Sequence, residues 1–388
     1  MSEIKVNSIK GVGASTAAIT VDNTAGTCTA NITNNLSNRN LIINGAMQVA
    51  QRGTSSTTSG INSVDRFTCE FSGTDEAPTQ AQVDVTSGTT PYTSGFRKAF
   101  KVTNGNQTSG AGAADYINLQ TKLEAQDIAN SGWNYLSSSS SITLSFWVKS
   151  SVAQNFYGFL RTRDGTEQNY PFETGALTAD TWTKITKIIV GNSNLTFNND
   201  NGEGVQINIS PFWGTDNTGS VSLNAWAAYS GSTRTPDNTT TWYTTNDATL
   251  EITGVQLEVG SVATDFEHRS FAQELALCQR YFNAYSTETV NGHWFLAAGY
   301  NSSNAGARGS FPFTVPMRAI PSLALSDLSH FIELGTSKTI SSITLADSGT
   351  GKNLTGLTVT FSTNATAGFA YVIRSNSTSA VIKFDAEL

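Results

Sequence analysis

Between residues 41 and 264 apolar and polar side chains alternate in short runs. Ser141-Ile142-Thr143-Leu144-Ser145-Phe146-Trp147-Val148-Lys149 puts every second side chain on one face, the period of a half-buried strand. The runs at 155–161, 182–188 and 205–209 repeat the pattern, and Asp164-Gly165 and Asn201-Gly202 supply turn residues between strands. Leu119 to Ile128 interrupts the alternation and predicts a short helical turn. Leu41 to Met47 is an apolar run of the kind found in buried strands. The pattern predicts a mainly β protein, with a jelly-roll β-sandwich over residues 41–264. Residues 288–388 predict a smaller C-terminal β-sandwich. Its strands include Leu357-Thr358-Val359-Thr360-Phe361, Phe369-Ala370-Tyr371-Val372-Ile373 and the run from Ala380 to Leu388.

One stretch changes period. From Ser270 onward the apolar residues Phe271, Leu275, Cys278, Phe282 and Tyr285 recur at spacings of 4, 3, 4 and 3. Ser270 and Gln273 form a capping box, which satisfies two orphan backbone donors at a helix start. The spacing predicts one axial α-helix within residues 265–287, with those five residues as the seam of a parallel homotrimer. A helix lying across its own sheet shows the same periodicity, so both packings fit the pattern. Leu277, Tyr281 and Ala284 form a second stripe that suits packing on the same subunit. The first forty residues are small and polar and cannot bury a core. They read as an N-terminal attachment arm.

The segments Gly254-Val255-Gln256-Leu257-Glu258-Val259-Gly260, Ala263 to Ser270 and Glu274 to Phe282 resemble a stretch of bacteriophage tail-fibre and receptor-binding proteins. Asp265 departs from the proline often found there in that family. Asn40 to Met47, with Gln51-Arg52-Gly53 and Val64-Asp65-Arg66-Phe67, resembles the start of the same module, and Phe311 to Pro321 resembles a proline-flanked strand of its C-terminal domains. The order of strands before the helix resembles carbohydrate-binding modules of jelly-roll fold. The resemblance implies a virion component made in the host cytoplasm, a homotrimeric tail fibre held to other tail proteins by its arm. It also implies attachment to host surface polysaccharide or lipopolysaccharide, with no cofactor. A purely structural fibre or adaptor protein is the alternative.

Composition narrows the chemistry. Only 14% of the 388 residues are charged and the net charge is -7, which argues against nucleic acid because phosphate binding needs clustered Lys and Arg. Cys28, Cys69 and Cys278 are scattered and odd in number, so no disulfide framework is expected. His268, His293 and His330 lack metal-ligand spacing, and no nucleophile elbow, phosphate loop or dinucleotide fingerprint occurs. Asp164 with Glu167, and Asp200 with Glu203, are the carboxylate pairs nearest to a glycosidase arrangement, yet each sits in a polar turn. Asn198 to Glu203 falls short of a calcium-loop spacing. No catalytic residue and no metal are therefore assigned, and the chain reads as a non-enzyme.

Aromatic residues beside polar ones give the better candidate. Sugar rings stack their C–H faces on aromatic rings while their hydroxyls seek amides, carboxylates and guanidinium groups. Trp213, Trp226, Arg234, Trp242 and Tyr243 combine these groups in turn-rich segments and are the expected carbohydrate-binding residues. Trp147 and Trp182 sit in alternating strands and are expected in the core. His293-Trp294 reads as packing.

Overall fold

The computed structural model describes residues 38–286, 295–301, 306–333, 339–346, 350–362 and 370–388, with pieces of the first forty residues at 6, 8–10, 12, 19–21, 24 and 28–30. Those pieces include β1 (Ser8–Ile9), β2 (Ile19–Val21) and β3 (Cys28–Ala30), hydrogen-bonded in that order.

The alternating region forms two facing sheets. Its strands are β4 (Ser55–Ser56), β5 (Phe67–Ser72), β6 (Thr79–Asp84), β7 (Lys98–Thr103), β8 (Tyr116–Glu124), β9 (Ser141–Ser150), β10 (Asn155–Thr162), β11 (Gln168–Ala176), β12 (Thr183–Val190), β13 (Glu203–Trp213), β14 (Ala227–Ala228) and β15 (Thr249–Val259). One sheet has the order β14-β11-β10-β13-β8-β5 and the other β12-β9-β15-β7-β6-β4. The chain crosses from one sheet to the other between β8 and β9 and again between β9 and β10, β11 and β12, and β12 and β13. This repeated crossing is a jelly-roll-type sandwich. The alternation of apolar and polar side chains follows from it. Leu144 and Phe146 of β9 and Ile207 and Ile209 of β13 share one core, while polar residues between them, such as Ser145 and Asn208, lie on the other sides of their sheets and are buried there too. Each such apolar side chain stabilises the fold by about 1.5–3 kcal/mol on burial.

Two local expectations are corrected. Leu119–Glu124 belongs to strand β8, and only Ala125–Ala129 turns into helix. Leu119 and Leu123 alternate with Gln120 and Lys122, so the tertiary partner strands decide in favour of a strand. Leu41–Met47 forms turns instead of a strand. Asn40 Oδ1 accepts from the Ile42 and Leu257 amides, and Asn44 and Met47 adopt positive φ. Gly45 lies so close to β15 that a Cβ there would stand 2.1 Å from the Val255 carbonyl oxygen.

The helices are short: α1 (Thr90–Thr93), α2 (Ala125–Ala129), α3 (Thr241–Thr244) and α4 (Phe271–Gln279). The expected capping box is present on α4, with the Ser270 side chain accepting from the Gln273 amide and the Gln273 side chain accepting from the Ser270 amide. The predicted seam is corrected. The helix ends at Gln279, and Phe282 and Tyr285 lie on the following strand. Cys278 is fully buried within its own chain, Leu275 is half-buried, and only Phe271 of the five is exposed.

After α4 come β16 (Phe282–Ser286), β17 (Phe295–Asn301), β18 (Gly306–Pro312), β19 (Ser322–Leu325), β20 (Phe331–Glu333), β21 (Ile340–Leu345), β22 (Leu354–Phe361), β23 (Ala370–Ser375) and β24 (Val381–Asp385). They form a three-stranded sheet, β16-β24-β19, and a six-stranded one, β20-β23-β17-β18-β22-β21, over a separate core that includes Phe331, Leu357, Ile373 and Phe384.

The two cores meet at a polar junction. Glu124 is fully buried and accepts from Arg280 Nε and Nη2 at 2.8 Å each and from the Tyr281 hydroxyl at 2.6 Å. Arg66 lies over the Tyr281 ring and pairs with Glu387, and Arg52 lies over the Phe282 ring and pairs with Asp385. Arg318 donates to the Asn201, Ala386 and Glu387 carbonyls. Arg280→Ala strips the bidentate partner from a buried carboxylate and should destabilise the protein by about 3 kcal/mol. Denaturant unfolding measures it. A change under about 1 kcal/mol would mean that Tyr281 and the Gln126 side chain satisfy Glu124 without Arg280.

Candidate functional site: a polar groove on the sandwich

The outward residues of the first sheet are polar because alternation puts its apolar ones in the core. On β8 these are Tyr116, Asn118, Gln120 and Lys122; on β13, Gln206, Asn208 and Ser210. The β8–β13 pairing shifts register between Ile209 and Phe212, a bulge that leaves Phe212 in the core and pairs Trp213 with Tyr116. With Glu70, Phe159, Arg161, Asn217, Tyr229 and Arg234, all of these but Ser210 and the core residues line a groove of about 200 Å³.

The floor is cross-linked. Trp213 Nε1 donates to Ser210 Oγ at 2.7 Å, and Ser210 Oγ donates to Asn118 Oδ1 at 2.7 Å. Asn118 Nδ2 and Gln120 Nε2 both donate to Asn208 Oδ1, at 2.8 and 2.9 Å. Gln120 Oε1 is buried, with no hydrogen-bond partner among the described residues. An unpaired buried acceptor costs about 1–3 kcal/mol, which a donor entering the groove would recover.

The rim is aromatic and cationic. Arg161 stacks 3.7 Å from the Tyr229 ring centre and is neutralised by Glu167. Arg234 lies 4.6 Å over Trp213 and donates to the Tyr229 hydroxyl at 3.0 Å and to Asn217. Its hydrogen bonds go to neutral oxygens, and among the described residues no carboxylate pairs with it. Burial pushes the Tyr116 hydroxyl above its ordinary pKa, with the Glu70 charge adding to the rise and the Arg234 charge opposing it.

The expected site residues separate in space. Trp213 and Arg234 line the groove, but Trp213 is only 6% exposed, stacked on Tyr116 at 4.5 Å and covered by Arg234. Its ring buttresses the groove and leaves little face for a sugar. Trp242 and Tyr243 are corrected: both are fully buried beside the strands, with Trp242 Nε1 donating to the Thr249 carbonyl and Tyr243 stacked on Phe212. Trp226 packs against Tyr170 and donates to the Val190 carbonyl, outside the groove. Trp147 and Trp182 are corrected in the other direction. They are half-buried on the outer face of the second sheet, where β9 alternation also places Ser145 and Lys149. His293 and Trp294 lie outside the described residues.

Tyr116, Gln120, Gln206 and Asn208 were missed in the sequence. Their signal was the polar half of the alternating strands, which composition alone does not separate from an ordinary solvated face. The carboxylate pairs are used structurally. Asp164 accepts from Asn198 across two loops, Glu167 pairs with Arg161 and Arg163, and Glu203 pairs with Lys122 and Arg163. Among the described residues no group of three or more His, Cys, Asp or Glu could hold a metal ion.

Trp242→Ala should lower stability by about 3–5 kcal/mol, as truncation of a buried aromatic does, while Tyr229→Ala should change it by under about 1 kcal/mol. Thermal unfolding of the two variants checks the assignment; equal losses would place both rings in the core.

No family model matches this sequence, and no curated protein matches it. Solved structures give faint likenesses. The N-terminal cellulose-binding domain of Cellulomonas fimi β-1,4-glucanase C matches with a TM-score of 0.26 at 11% identity, covering 55% of this chain and 99% of that one. A family 11 carbohydrate-binding module from Clostridium thermocellum, solved with a β-1,3-1,4-mixed-linked tetrasaccharide, matches with a TM-score of 0.25 at 10% identity, covering 55% and 98%. Likeness of this degree assigns neither ligand nor activity, which rest on the groove itself.

Proposed function

We propose that the groove binds a stretch of polysaccharide. The observation that carries this reading is the cross-linked amide floor, with one unsatisfied acceptor on Gln120, between Tyr116 and Tyr229. Amides meet vicinal hydroxyls with both donors and acceptors, and half-buried tyrosines offer ring faces to C–H surfaces. In its fuller form, which rests on the sequence resemblance, the chain is a non-enzymatic virion component. Copies form a homotrimeric tail fibre, the first forty residues hold it to other tail proteins, and the groove attaches it to host surface glycans. A structural fibre or adaptor protein without a ligand is the rival reading. A glycan array with the full chain separates them: the rival expects no retained glycan.

Tyr229→Ala and Gln120→Ala should each lower affinity for a retained glycan about two- to tenfold, the range of one stacking contact or one hydrogen bond. Calorimetric titration reads the change, and unaltered affinity in both variants would move the site off this sheet.

Assembly has its own test. Phe271, a large ring on the first turn of α4, is 55% exposed. The trimer reading expects Phe271→Asp to shift the protein from trimer to monomer in light scattering without loss of thermal stability. A monomeric wild type, or an unchanged trimer in the variant, would remove α4 from the assembly.

A further inference from the structure

The second sheet carries a larger cavity on its outer face, on the opposite side of the sandwich from the groove. It encloses about 510 Å³, within the roughly 300–1,000 Å³ of small-molecule sites. Its walls include Trp147, Phe96, Phe266, His268, Lys184 and Asp265. Lys184 stands directly opposite Trp147 in the β9–β12 pairing, so ammonium and indole share one face. Phe96, Phe266 and His268 form a three-ring cluster with centroids 4.9–5.1 Å apart.

The cavity is held open by backbone that only glycine suits. β15 bulges between Thr253 and Gln256, and Gly254 within the bulge has φ of +63°. A Cβ at Gly254 would stand 2.6 Å from the Phe96 ring, and one at Gly95, φ +98°, would stand 2.8 Å from His268 Nε2. That nitrogen bonds the Ser94 carbonyl at 3.0 Å, which fixes the ring and makes Nε2 the donor in the neutral tautomer. Bulges of this kind re-aim side chains beside sites.

The charges around the cavity differ in their engagement. Lys149 pairs with Glu251 at 3.0 Å and lies 5.2 Å over Trp182, and Lys98 pairs with Asp84. Lys184 is exposed on β12 and makes no ion pair among the described residues, and the Asp265 carboxylate is likewise unpaired there. Among the described residues, one unpaired cation and one unpaired anion beside aromatic faces give a site of no net charge that can donate and accept at once.

We infer that this cavity is a second saccharide site, taking one or two units of a neutral glycan with a ring against Trp147 and its hydroxyls on Lys184 and Asp265. Its ligand class is argued from its own walls, so it stands or falls separately from the groove. The test uses gluco-, xylo-, manno- and galacto-configured hexasaccharides with the full chain. Calorimetric stoichiometry is measured on wild type, on a groove variant (Tyr229→Ala with Gln120→Ala) and on a cavity variant (Trp147→Ala). Wild type should bind two equivalents of at least one probe, and each variant should lose one of them. Lys184→Ala, a change at an exposed side chain that keeps the fold, should weaken the retained site of the groove variant about two- to tenfold. Thermal unfolding confirms that Trp147→Ala is folded, and the Lys184→Ala result stands if it is not. Unchanged affinity in Lys184→Ala, or one equivalent in wild type that only the groove variant loses, overturns the cavity. Loss confined to the cavity variant overturns the groove and keeps the cavity. No binding by wild type to any probe overturns both.

Discussion

The buried Glu124 carboxylate is the contact around which the two β-domains are arranged. It ends strand β8, whose other side chains floor the groove, and it receives Arg280 and Tyr281 from the end of α4. Burial alone would push its pKa up. The hydrogen bonds from Arg280 and Tyr281 more than reverse that, so the carboxyl sits below its ordinary range. A lowered folded pKa means that this contribution is present above the unfolded value and is lost as pH falls through the folded one. Asp65, which meets the same junction through Gln51 and Arg52, has the opposite sign. Burial pushes it up to about 6, and its bonds from Gln51 and the Arg52 charge only partly offset the rise. Its folded form holds a proton that the unfolded chain has released, so its contribution declines between about pH 4 and 6. The junction therefore holds two carboxylates that respond to acid in opposite directions.

Much of the architecture was legible because period two is a strong signal. The alternations at 141–149, 155–161 and 205–209 are strands β9, β10 and β13 with the predicted faces inward. Failures came where a single segment had to be judged without its partners. Leu41–Met47 is apolar like a strand, but the Asn40 and Asn44 side chains take over its backbone bonds and fold it into turns. The helical seam continued on paper past Gln279, whereas in space Phe282 pairs with Asp385 and the strand wins. The asparagines that bend the first segment stand within or beside it, whereas the partner of the second lies about a hundred residues away in β24 and is invisible in a local window.

The tryptophans failed for a related reason. Turn-rich neighbours suggest exposure, yet Trp242 sits on the four-residue helix α3 with its indole inserted in the core. Conversely, the alternation along β9 puts Phe146 and Val148 inside and leaves Trp147 out. Reading parity along β9, instead of treating every strand tryptophan as core, would have found it. Both outer sheet faces then show the same economy of means. A bulge, at Ile209–Phe212 in β13 and at Thr253–Gln256 in β15, turns an otherwise flat lattice of side chains into a concavity.

The pairing of Phe282 with Asp385 has a mechanical consequence. The first and last strands of the C-terminal domain are hydrogen-bonded neighbours, so everything from β17 to β23 hangs beyond a closed neck. Tension applied across Phe282 and Asp385 falls on that neck and leaves the six-stranded sheet unloaded. The two strands run antiparallel with their pulled ends side by side, so their hydrogen bonds open one after another like a zipper, instead of resisting together in shear. Arg52 and Arg66, clamped to Asp385 and Glu387, sit at the tooth where such opening would begin. The resistance of the domain to being pulled open thus resides in a few ion pairs at its base and owes little to the extent of sheet above them.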